Sequence, residues 1–270
     1  VHENLAGVGP KLTSTVANVA RIYDCLLGGK DNYPVDREAA QRLLKVMPEA
    51  KTAALENRAF LVRAVQLLAS EGLTQFVDLG SGLPTQSNVH EVAQAVNPDA
   101  RVLYVDYDPV VVTHGRALLA ADGVSVLHAD ICRPQRILDS PVVRDLIDFS
   151  RPVGLIAVAV LHFVPGDEPG EILECFAERF AAGSRLVLSH GATDGVEAGN
   201  LEEGRRLYQE ASASVHPRTT NEIRDLLKRF GNPDPPGLVP VTTWRPDSCW
   251  PQEPIPELLG GTATKPAGTA

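Results

Sequence analysis

The 270-residue chain carries 34 acidic against 25 basic side chains, a formal net charge of -9, and this argues against nucleic acid as its main partner, since neutralising phosphates needs a basic face. A chain this long buries about 75% of its unfolded surface, enough for a core without metal or disulfide staples, and Cys25, Cys132, Cys175 and Cys249 form no C-x-x-C pair, as in reduced thiols rather than a metal site. No apolar run approaches the roughly 18 residues of a membrane span, and the N-terminus has no secretion signal, so a cytoplasmic protein with a small-molecule or protein partner is expected.

Residues 1–18 read as a loosely ordered arm. Apolar residues at helical spacing predict a helix over 20–27, stopped by Gly28 and Gly29, and a polar turn follows with Lys30, Asp31, Asn32 and Tyr33. Two more helices are predicted, over 36–46 and 52–70, the latter burying Leu55, Ala59, Val62, Val65 and Leu68. This preface, residues 1–70, reads as an arm and helical lid over a core spanning 71–270. From residue 75 strands and helices alternate: strands over 76–79, 102–105, 124–128, 153–161 and 185–189, with helices between them over 86–96, 109–120 and 170–180. A polar helical insertion is expected over 194–217, then a helix over 220–230 and strands over 238–244 and 258–264, the last weakened by Gly260 and Gly261. Repeated βα units imply a doubly wound parallel sheet with right-handed crossovers, a Rossmann-like α/β fold.

In such sheets ligands sit beyond the carboxyl ends of the strands. The first strand ends in Asp78-Leu79-Gly80-Ser81-Gly82, where glycines let backbone amides approach a ligand, and the second ends in Asp106. A dinucleotide site would need G-x-G-x-x-G, and Pro84 and Thr85 do not supply it. A carboxylate at Asp78 would also repel a pyrophosphate, whereas it can accept hydrogen bonds from the amino group of S-adenosylmethionine. On that reading Asp106 accepts from the ribose hydroxyls, Tyr107 flanks the adenine, Asp130 accepts from its amino group and Ile131 lies beneath the ring. Asp130 fits equally well as a helix cap.

These motifs resemble those of class I S-adenosylmethionine-dependent methyltransferases. Three longer blocks, residues 20–33, 82–94 and 154–165, are similar to an actinobacterial methyltransferase family first catalogued as a domain of unknown function; the Leu26-Leu27-Gly28-Gly29-Lys30-Asp31-Asn32 run is the most distinctive part. The resemblance implies a seven-stranded sheet and methyl transfer from S-adenosylmethionine, with no particular acceptor. Cys25 departs from it, standing where an aromatic residue is expected.

Methyl transfer from a sulfonium is an in-line displacement that needs an aligned acceptor and, for a hydroxyl or ammonium, a proton acceptor. His162 follows the fourth strand and is the candidate base. Tyr23, Asp24, Lys30, Asp31 and Asn32 are candidates for the lid or acceptor side, with His190 and Glu197 behind them. A packing role is the alternative for each. A sensor that binds the cofactor without turnover and a nicotinamide-dependent oxidoreductase are the rival functions, and no G-x-S-x-G elbow supports a hydrolase.

Overall fold

A computed structural model describes residues 15–84, 87–246 and 253–267. Five apolar segments form parallel strands: β1 (Gln75–Leu79), β2 (Arg101–Asp106), β3 (Val124–His128), β4 (Gly154–Val158) and β5 (Arg185–Gly191). Two short segments, β6 (Asn232–Pro233) and β7 (Val239–Pro240), both pair antiparallel with β8 (Leu258–Thr264), which itself runs antiparallel to β5. The order is β3-β2-β1-β4-β5-β8-β6, with β7 also on β8. Seven sheet positions are therefore filled, the seventh shared by β6 and β7. Strand order reverses between β1 and β4, which opens a crevice at their carboxyl ends.

Alternation along the strands sorts the core into two layers. Val77, Leu79, Leu103 and Leu155 face α6 (Pro134–Leu138), α7 (Pro141–Leu146), α8 (Glu168–Arg179) and α10 (Thr220–Phe230), whereas Phe76, Val102, Tyr104 and Ile156 face α3 (Ala50–Ser70) and α4 (Val89–Val96). Asp78 falls on the α3 side by the same parity. A third apolar cluster joins α1 (Val19–Leu26) and α2 (Pro34–Val46) to Leu207 of α9 (Ala198–Gln209), so the segment before the sheet and the insertion after β5 bury their faces on each other. Half-buried Cys25 packs there too. The remaining helix, α5 (Pro109–Leu118), follows β2.

Several expectations need correction. The fourth strand stops at Val158 because Ala159 turns to φ +53 and gives its N–H to Ser189 O and Ser189 Oγ, after which residues Leu161–Phe163 form a 3-10 turn. The apolar run reported burial there, not extension. The predicted 238–244 strand is reduced to Val239–Pro240 on β8, with Val241 N–H still donating to Leu258 O at 3.1 Å, and the Val241 and Trp244 side chains fill the core, Trp244 edge-on to Phe60 at 5.1 Å. On α3 Val65 and Leu68 are buried as expected, but Leu55 is exposed, Ala59 and Val62 are half-buried, and Ala54, Phe60, Leu61 and Ala64 complete the buried face instead. β8 forms over the residues expected, and its glycines serve packing: a Cβ on Gly260 would sit 2.9 Å from Phe60 and Val241. The N-terminal arm through residue 14, the start of the predicted 86–96 helix, Cys249 and Trp250 lie outside the described residues.

Candidate cofactor and acceptor site

The turn after β1 is fixed by its backbone. Gly80 and Gly82 have φ +65 and +64, values that favour glycine, and the amides of Gly80 and Ser81 both donate to Val105 O at 2.8 and 3.2 Å. A Cβ on Gly80 would collide with Val160, whereas one on Gly82 would meet nothing within 4 Å, so the turn presents an open face there. Gly82 N–H donates to Asp106 Oδ2 at 3.0 Å and Asp108 N–H to Asp106 Oδ1 at 2.9 Å. Each oxygen of that carboxylate thus holds one backbone amide and keeps a lone pair. Burial raises the Asp106 pKa and the Asp108 charge adds to this, while backbone amides, those of Asp108 and Gly82 before that of Tyr107, oppose the shift.

Asp78, at the end of β1, is 7% exposed, and burial pushes it up to about 7; Arg58 opposes this and Asp106 adds to it. Asp130 is exposed and its Oδ1 accepts from Cys132 N–H at 2.9 Å, a cap-like contact, while Ile131 beside it is buried. Tyr107 is 53% exposed. All of these residues, with Gly80, Ser81 and Gly82, line one cavity of about 510 Å³ that also reaches Tyr23 and His162.

The Tyr23 hydroxyl has two partners. It donates to Ala54 O (3.1 Å) and accepts from Asn57 Nδ2 (3.0 Å), and Asn57 Oδ1 in turn accepts from Ser189 Oγ at 2.6 Å. Helices α1 and α3 are thereby wired to β5. Asp24 also reaches the cavity, but its Oδ2 is occupied by Asp31 N–H (3.0 Å) and Asn32 Nδ2 (2.8 Å), and a Cβ at Gly29 would collide with it. This explains the glycine pair and the asparagine without a ligand. Lys30 and Asp31 are exposed, and neither they nor Asn32 is among the described residues of the cavity wall.

His162 is partly exposed into the cavity. Its Nδ1 accepts Gly191 N–H at 3.3 Å, and burial, with His190 and Arg218 adding to it, holds its pKa well below the usual histidine range. The ring is neutral, and with Nδ1 accepting, its proton is on Nε2. His190 is fully buried and closed: Nδ1 meets Gly191 O at 2.8 Å and Nε2 accepts from Arg218 Nη1 at 2.9 Å, with burial pushing its pKa down to about 4. Glu197 is exposed before α9 and is not among the described residues of the cavity wall, though its neighbour Val196 is.

Sequence reasoning missed several participants. Asn57 sits inside a helix with no motif around it. Asp108 caps α5 through Val110 N–H (2.7 Å) and also accepts from Asn18 Nδ2 at 2.6 Å, tying the start of α1 to the Asp106 side of the cavity. Arg218 donates to the carbonyls of Leu161, Val164, Gly166 and His216 and so fixes the turn that carries His162. Its only sequence signal was an arginine beside a proline.

Among curated proteins none matches this chain. A crystal structure of a candidate methyltransferase from Thermobifida fusca YX superposes with a TM-score of 0.89 at 40% identity, over 97% of this chain and 100% of that one. A DUF574 family protein from Streptomyces avermitilis MA-4680 does so with 0.85 at 36% identity, over 93% and 98%. Human N-acetylserotonin methyltransferase, solved with its methyl donor, shares the fold at 14% identity and a TM-score of 0.51, over 93% of this chain and 63% of that one. The model of the S-adenosyl methyltransferase family matches residues 6–266, nearly the whole chain. The chain therefore belongs to the S-adenosyl methyltransferase family, and its cofactor is S-adenosylmethionine.

Proposed function

We propose that this protein transfers the methyl group of S-adenosylmethionine to a small organic acceptor enclosed between the strand ends and helices α1, α3 and α9. The observation that carries the reading is the shared cavity: the glycine turn, Asp78 and Asp106 open onto the same space as Tyr23 and His162. The donor set suits the cofactor, because several carboxylates at strand ends meet a ligand with positive charge on its sulfonium and ammonium groups. A cavity of about 510 Å³ suits a cofactor with a small partner rather than a polymer.

When bound, the cofactor supplies an already activated methyl group, so the residues have mainly to bind, orient and exclude water. Asp106 accepts from the ribose hydroxyls with the lone pairs its two amides leave free. Asp78 accepts from the ammonium, and the backbone of Gly80, Ser81 and Gly82 lies along the ligand. Tyr107 and Ile131 flank the adenine, and Asp130 accepts from its amino group through the oxygen not engaged by Cys132. On the acceptor side a neutral His162 offers an N–H from Nε2, so we assign it orientation of the acceptor in place of the general-base role. Removing a proton at Nε2 would first require the Gly191 contact to break.

Calorimetric titration tests the cofactor assignments. S-adenosylmethionine should bind and NADH should not, and Asp106→Ala should weaken binding by about 2–3 kcal/mol, roughly 30- to 150-fold, as charge-assisted bonds are lost. Unchanged affinity in that variant would remove Asp106 from the site. Label from the methyl donor appearing in a small molecule of a cell extract would establish turnover.

A further inference from the structure

We infer that the acceptor carries a carboxylate, and that Arg205 of α9 receives it; this rests on the methyltransferase reading of the same cavity. Helix α9 turns Leu201, Gly204, Arg205 and Tyr208 to the cavity, a set spaced by three and four residues and so lying on one face. The neighbouring Arg206 is held by Glu203, with Nε to Oε2 at 3.0 Å and Nη2 to Oε1 at 2.6 Å. Arg205 is different. Among the described residues none hydrogen-bonds or ion-pairs with its guanidinium, and its Nε is buried. Arg116, Arg133 and Arg136 also lack partners, but they are exposed and water serves them.

The buried Nε is closed to a ligand as it is to water, but Nη1 and Nη2 are not buried and have no partner among the described residues, so a ligand in the cavity can bring the acceptor that the protein does not supply. The wall beside it is apolar: Met47 lies within 3.4 Å of where a Cβ on Gly204 would stand, and Leu43, Ala50 and Ala54 continue it. A carboxylate matches the two parallel donors of the arginine fork. A phosphate dianion would bring a second negative charge into a cavity that already holds Glu49 and Glu257 besides the cofactor-side acids. The cavity's other arginine, Arg58, already acts on Asp78, so a monoanion balances Arg205.

The test uses the full chain loaded with S-adenosylhomocysteine and titrated calorimetrically with benzoate, hexanoate and indole-3-acetate, each against its amide, and with inorganic phosphate. At least one carboxylate should bind about tenfold tighter than its amide. Arg205→Ala should abolish that preference while S-adenosylhomocysteine binds as before, which also reports folding, and Arg205→Lys should keep part of it. Equal binding of acid and amide, a preference that survives Arg205→Ala, preferential phosphate binding, or no binding of any of these compounds to loaded protein would each overturn the inference. Failure of the wild-type protein to take up S-adenosylhomocysteine would instead strike the cofactor reading beneath it.

Discussion

Asp78 and Asp106 stand at adjacent strand ends, yet their surroundings prepare them differently. Asp106 is anchored by two backbone amides, whereas no described residue hydrogen-bonds the Asp78 carboxylate, and burial leaves it with a pKa of about 7. A cationic ligand favours the ionised form and lowers that pKa in the complex. Affinity for S-adenosylmethionine should therefore rise with pH, by up to about tenfold per unit below 7, and level off above it. Between pH 5.5 and 7.5 calorimetry in buffers of different ionisation enthalpy should detect proton release, and Asp78→Asn should flatten the profile. A flat wild-type profile would place the ammonium elsewhere. For His162 the orienting role predicts that His162→Gln, which keeps an N–H donor, retains much of the methyl transfer that His162→Ala loses, with no inflection near pH 6.5 in the wild-type rate. Equal loss in both variants would restore the general base. The strand-end acids were legible because a carboxylate after an apolar run beside glycines has few structural uses. Asn57 and Arg205 were not, because their meaning comes from what lies across the cavity.

At the scale of elements, the N-terminal helices that we read as a lid are organised on Asp36. Its Oδ1 accepts Asn18 N–H (2.9 Å), and its Oδ2 accepts Arg21 Nε (2.7 Å) and Tyr33 N–H (2.8 Å), all with the carboxylate fully buried. Removing one partner of a buried pair strands the other, at a cost of about 3–5 kcal/mol. Asp36→Ala should accelerate hydrogen exchange of amides over 19–46 while those of β1 and β2 keep their protection, because the lid has its own apolar cluster. Uniform acceleration would show that lid and sheet open as one unit. The end of α1 was readable from Gly28 and the periodicity, whereas α2 begins at Pro34, two residues ahead of the expected start. The rotational phase of α3 was not, since Leu55, Phe60, Leu61 and Val62 offer two apolar stripes at the same spacing, and only Trp244 and β8 decide between them.

Across the whole molecule, distant stretches of chain converge where Phe60, Val241 and Gly260 meet. In sequence Gly260 reads as a weakness in a strand; in the fold it is the only residue that fits. Gly260→Ala should overpack this joint and cost about 1–3 kcal/mol, measured as a lowered urea midpoint with an unchanged slope. An unaltered midpoint would show that Phe60 moves aside freely. That the first five strands run parallel followed from the alternation of elements, but the division of the seventh position between β6 and β7 did not, because two-residue pairings leave no period to read.

The placement of β8 bears on how the protein is made. Residues 232–240 leave the ribosome before the strand that holds them, so during synthesis the flank of β5 stays unpaired until residues 258–264 emerge and insert. The nascent chain must keep that border from pairing with a neighbour until its own late segment arrives.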